Sequence, residues 1–142
     1  NCMFEGCTSL TSAPELPATY LVRECYHSMF NGCTSLASAP KLPATTLGWG
    51  CYSEMFQGCT SLTSAPELPA KELIRNCYQL MFKDCSKLRY VKALFTTSPS
   101  EETTKDWLSG VAASGTFVKS KNATWNVTGV HSIPKGWKIE TQ

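Results

Sequence analysis

Eight cysteines, two histidines and an adjacent pair of glutamates are the residues of this 142-residue chain best equipped for chemistry. Nucleophilic, acid–base or metal-assisted catalysis needs such groups held in a fixed mutual geometry. Their spacing speaks against all three. A cysteine-based zinc site is built on short pairs such as C-x-x-C. Here successive cysteines such as Cys7, Cys25 and Cys33 are 18 and 8 residues apart, and Cys2 lies five residues before Cys7 with no histidine beside it. His27 and His131 have no carboxylate partner close in sequence, and Glu101 with Glu102 falls in a polar stretch, 96–104, that reads as a solvated loop. No G-x-S-x-G, H-E-x-x-H or phosphate-cradling glycine loop is present. The sequence therefore gives no catalytic residue, metal ligand or cofactor site, and the expectation is that the chain is not an enzyme.

The cysteines are better explained by repetition. One block is written three times at a spacing of 26 residues: CTSLTSAPELPATYLVRECYHSMFNG from Cys7, CTSLASAPKLPATTLGWGCYSEMFQG from Cys33 and CTSLTSAPELPAKELIRNCYQLMFKD from Cys59. A fourth copy begins at Cys85 and decays. Cys7, Cys33, Cys59 and Cys85 form one column, Cys25, Cys51 and Cys77 a second, and Cys2 belongs to neither. Buried thiols that stack as small hydrophobes account for both columns without any bond. A Cys25–Cys33 disulfide stays open as an alternative, since cysteine-rich chains also serve as disulfide frameworks.

A period in this range is the mark of stacked-repeat architectures, whose units bury their apolar faces only against neighbours. In the copy from Cys7, apolar residues at 7, 10, 13 and 16 alternate with Pro14 and Pro17, which predicts extended chain with at most a short strand. In residues 21–30, Leu21, Cys25 and Met29 share an i, i+4 stripe with Tyr26 and Phe30 beside it. That predicts a short helix, with Thr19 as its N-cap and Gly32 just past its end. Stacking then sets Leu10, Leu36, Leu62 and Leu88 in one buried ladder and Phe4, Phe30, Phe56 and Phe82 in another. The first residue, Asn1, falls at the repeat position of His27, mid-unit, which predicts further coils, a cap and a leader upstream.

After Leu88 the prolines vanish from the pattern. A helical turn is expected at 106–111 and strands at 115–119, 123–127 and 137–139. Two readings of 96–142 stay open: a cap that closes the last coil, or a small binding subdomain that stacks sugars on Trp107, Trp125 and Trp137. A net charge of +2 with 17% charged residues gives no footprint for nucleic acid, and no run of 18 apolar residues offers a membrane span.

With the frame fixed, positions that vary between copies mark the outward surface. One column reads Arg23, Trp49, Arg75; its neighbours read Tyr20, Thr46, Glu72 and Val22, Gly48, Ile74. Stacked coils place Trp49 between two arginines, a cation–π arrangement. Tyr20, Arg23, Trp49, Glu72 and Arg75 are therefore the candidate ligand-binding residues, of the types enriched at binding hot spots. A third column, Glu15, Lys41, Glu67, alternates in sign and reads as an aid to stacking.

The motif C-Y-x-x-M-F-x-G-C-T-S-L-x-S-A-P-x-L-P-A over residues 1–95 closely resembles the BspA-like leucine-rich repeats of surface proteins from gut and oral anaerobic bacteria. It departs from the general leucine-rich pattern where Ala-Pro replaces a branched aliphatic pair. The tail, with WLSGVAASGTFVK and IPKGW, is similar to the C-terminal ends of such proteins. The resemblance implies an α/β leucine-rich-repeat solenoid of 26-residue coils over 1–95, followed by a mostly β C-terminal cap or subdomain over 96–142. It further implies an extracellular or cell-surface location and an adhesin-type role toward a protein or glycan. The alternative is a structural spacer, or a segment that self-associates end to end. In a bacterial setting, the glycosylation patterns at Asn122 and Asn126 read as coincidence.

Overall fold

The computed structural model describes residues 2–142 and consists mostly of turns and extended chain. Its regular elements are β1 (Tyr90–Ala93), α1 (Glu101–Thr104), β2 (Thr116–Lys119) and β3 (Lys138–Thr141). The strands form one parallel sheet in the order β1-β2-β3, with Val91 opposite Phe117 and Phe117 opposite Ile139. Further parallel bridges join Ser12 to Ser38, Tyr20 to Thr46 and Ser64 to Tyr90. Each of these partners is 26 residues on, a fourth bridge joins Leu68 to Ala93, and the second copy is tied to the third by amide bonds such as Tyr52 to Cys77, so the copies of the repeat lie one over the next.

Proline decides where the sheet becomes regular. Ser64, Ala65, Pro66 and Glu67 align with Tyr90, Val91, Lys92 and Ala93. Proline has no amide to donate to a ladder. The proline-bearing stretches accordingly make isolated bridges at most, between the first and second copies and from the third copy to β1, and the first copy without proline forms that strand.

The helix expected over residues 21–30 is not formed; the segment is a run of turns. Glu24, Ser28 and Gly32 have φ of 52°, 52° and 75°, and Gly50, Glu54 and Gly58 repeat the series at 57°, 57° and 74°. A left-handed residue at every fourth position is incompatible with an α-helix. Hydrogen bonding alternates to match. The amides of Tyr26, Ser28 and Phe30 donate to Cys51, Ser53 and Met55 of the next coil at 3.0, 2.9 and 2.9 Å. The intervening amides of His27, Met29 and Asn31 donate three residues back, to Glu24, Tyr26 and Ser28. A helix would keep every bond inside the segment; here half of them tie coil to coil. Thr19 thus has no helix to cap, and Gly32 is the last member of the left-handed series.

The core is a set of ladders along the stack. Phe4, Phe30, Phe56 and Phe82 stack at 5.5, 5.6 and 5.5 Å, nearly coplanar. Tyr26, Tyr52 and Tyr78 stack at 6.0 Å each, and Trp107 continues that column at 5.8 Å. Leu36, Leu62 and Leu88 are fully buried, while Leu10 is half-buried. Each aromatic pair contributes about 0.5–1.5 kcal/mol beyond the area it removes from water.

Beyond residue 95 the strand expected at 115–119 is β2, and β3 overlaps the one expected at 137–139. Residues 106–111 form turns instead of a helix, 123–127 form no strand, and α1 occupies the stretch read as loop. The same core runs across residue 95: β1 pairs with β2, Trp107 stacks on Tyr78, and Trp125 stacks on Phe95 at 5.2 Å. The change in sequence pattern at 95 is therefore not a gap in packing.

Candidate functional site

Trp49 stands between Gly48 and Gly50, and the backbone explains both glycines. A Cβ on Gly48 would lie 2.4 Å from the carbonyl carbon of Val22, so only glycine lets the second coil close on the first. Gly50 begins the left-handed series with φ of 57°. Neither neighbour can cover the indole, which is 48% exposed. The guanidinium carbon of Arg23 lies 5.3 Å from the Trp49 ring centroid and that of Arg75 lies 5.2 Å from it. They come from the copies on either side, so the ring carries a cation from each neighbour. Cation–π pairs at exposed sites contribute about 0.5–1 kcal/mol each.

Around this triplet the surface is open. Tyr20 is 69% exposed and its backbone pairs with Thr46. Glu72 lines a cleft of about 470 Å³ between the second and third coils, together with Thr45, Thr46, Leu47, Lys71 and Ile74. The structure thus brings Arg23, Trp49 and Arg75 into contact, with Tyr20 and Glu72 on the flanking column. Arg23 Nε also lies 3.6 Å from Glu24, whereas Arg75 has no carboxylate within salt-bridge distance among the described residues.

The Glu15, Lys41, Glu67 column does not act as expected. Lys41 forms no ion pair with either glutamate among the described residues; Glu67 pairs with Lys92 at 3.6 Å instead. These side chains border two adjoining grooves walled by Pro14, Pro17, Pro40, Pro43, Pro66 and Pro69.

The tail tryptophans are not a sugar platform. Trp107, Trp125 and Trp137 are at most 6% exposed. Their indole N–H groups donate inward, to the carbonyls of Ser132, Phe95 and Ala112 at 2.9, 3.2 and 2.8 Å. They fill the core, as amphipathic aromatics do when their N–H finds a partner.

All eight cysteines are free thiols, so the Cys25–Cys33 bond is not formed. Cys33, Cys59 and Cys85 donate to the carbonyls of Phe4, Phe30 and Phe56 at 3.0, 3.2 and 3.0 Å. Burial pushes Cys59 and Cys77 up to about 12 and raises Cys51 and Cys85 further. A thiol held neutral is a poor nucleophile and a poor metal ligand. Among the described residues no three His, Cys, Asp or Glu side chains converge on a metal position.

His131 does have a carboxylate neighbour, from 25 residues away. The Asp106 amide donates to His131 Nδ1 at 3.1 Å, Asp106 Oδ1 lies 3.6 Å from the same nitrogen, and Thr104 Oγ1 donates to the His131 carbonyl at 2.6 Å. Sequence reading missed this pair because the register of the tail sets it. With Nδ1 occupied by a backbone amide and the Thr104 hydroxyl turned to the His131 carbonyl, the pair ties residues 104–106 to residue 131. No helix among the described residues is long and apolar enough to cross a membrane. Compared with known protein families, curated proteins and solved structures, the chain matches none.

Proposed function

We propose that this chain is a leucine-rich-repeat solenoid of the BspA-like branch. In this reading it works as a cell-surface binding module that engages an extracellular protein or glycan through the outward column of its coils. The repeat motif supports the family, and the 26-residue register of the bridges supports the stacked architecture. One observation carries the binding reading: Trp49 is a large, half-exposed aromatic held rigid between Arg23 and Arg75. Rigid aromatic and arginine groups lose little conformational entropy on contact, and for that reason they dominate binding hot spots.

The test is a binding screen of this chain against extracellular-matrix proteins and glycans, with Trp49→Ala alongside. A ligand whose affinity falls roughly tenfold or more in the variant supports the reading. No ligand at all for the parent chain favours the spacer alternative. Concentration-dependent mass in light scattering would mark self-association instead.

A further inference from the structure

The cations over Trp49 restrict what can bind there. A neutral sugar is held by aromatic residues through its flat C–H face against an open ring face. Here Arg23 and Arg75 lie over the ring at 5.3 and 5.2 Å, one from each neighbouring coil, and compete with a sugar for its faces. What the cluster does offer is cationic. A guanidinium over a ring still carries its N–H donors in its own plane, a fork suited to a bidentate contact with an oxyanion. Arg75 has no carboxylate partner among the described residues, and Arg23 uses only Nε toward Glu24, at 3.6 Å.

We infer that the Arg23–Trp49–Arg75 stack is a recognition site for a carboxylated polysaccharide, one with an anionic group on alternate sugars. The inference rests on the binding-module reading above. The two guanidinium forks are two coils apart, about 10 Å at strand-like spacing. Glu24 and Glu72 stand among the cations, so a densely anionic chain meets repulsion between its charges and theirs. A chain with sparse carboxylates can seat one on each fork. The adjoining cleft supplies neutral and charged hydrogen-bonding groups for sugar hydroxyls, from Thr45, Thr46, Lys71 and Glu72. Tyr20, 69% exposed one column away, offers a further aromatic ring. A peptide with a carboxylate on every residue fits less well, because its charges fall about 3.3 Å apart and the surplus ones meet Glu24 and Glu72.

The experiment measures binding of four polymers to the full chain: hyaluronan oligosaccharides, with one carboxylate per disaccharide; heparin; neutral dextran; and poly-glutamate. Hyaluronan is expected to bind best. Arg75→Gln and Arg23→Gln are each expected to weaken it by roughly tenfold to a hundredfold, the scale of a hydrogen bond to a charged group. Arg75→Lys should recover only part, because the ammonium keeps the charge and loses the fork. Raising the salt to 1 M, where screening acts within about 3 Å, should weaken binding as well. Unchanged melting curves show that these exposed substitutions leave the fold intact. Tighter binding of heparin, poly-glutamate or dextran overturns the inference, as does an Arg75→Gln variant that binds hyaluronan normally. If matrix proteins bind and no polymer does, the inference falls and the binding-module reading stands. If nothing binds, both fall.

Discussion

Tyr52 and Tyr78 carry their phenols into the centre of the stack, and neither hydroxyl has a hydrogen-bond partner among the described residues. A buried, unpaired hydroxyl costs about 1–3 kcal/mol. Their rings, by contrast, are well placed, at 6.0 Å from one another. Tyr52→Phe keeps the stack and deletes the orphan group, so its melting temperature should equal or exceed that of the parent. A fall of several degrees would mean that the hydroxyl has an unseen partner. The thiols make a second residue-scale prediction. Burial raises Cys59 and Cys77 from an ordinary value near 9 to about 12. The folded state therefore prefers the neutral thiol. Its contribution is complete below about pH 9 and is lost as pH rises from there toward 12. Melting temperatures recorded from pH 7 to 12 should fall in that upper window, and a melting temperature that stays flat to pH 12 would count against buried thiols. The aromatic and cysteine columns were legible in the sequence, because identical letters recur every 26 residues. The orphan hydroxyls were not, because tyrosine reads the same whether or not its oxygen finds a partner.

At the scale of the element, the apolar i, i+4 stripe of Leu21, Cys25 and Met29 suits a helix and suits a turn ladder of period four equally well. What separates the two is backbone handedness. Gly32, Gly50, Gly58, Asn76 and Asp84 occupy left-handed positions and hint at it, but Glu24, Glu54 and Leu80 occupy them too, so composition alone does not decide. The prolines were better guides: they marked extended chain correctly, and their loss coincides with β1. Close approach leads to a sharper test. Gly48→Ala forces a Cβ to within 2.4 Å of the Val22 backbone, where no flexible side chain can yield. It should destabilise by about 1–3 kcal/mol, the range for overpacking. Denaturant unfolding of the variant gives the number. Because Gly48 adjoins Trp49, quenching of Trp49 fluorescence should change in the same variant.

For the molecule as a whole, the expected division at residue 95 and the continuous core make different predictions. Tyr78 and Phe95 are covered by Trp107 and Trp125, and both tryptophans meet Phe117 edge-on. A shortened chain of residues 1–95 leaves those rings in water. Its melting temperature should drop well below that of the full chain, and its near-ultraviolet circular dichroism should weaken. Equal melting temperatures would show that the coils fold independently of the tail. The cross-coil amide bonds have one further consequence, for mechanics. In residues 21–30, every second amide points along the stack, from Tyr26 to Cys51 and from Phe30 to Met55. A tensile load along that axis opens such rows one coil at a time and not all together. Each opened coil releases 26 residues, about 90 Å of slack chain. Pulled along its axis, the stack would lengthen in steps before it gives way.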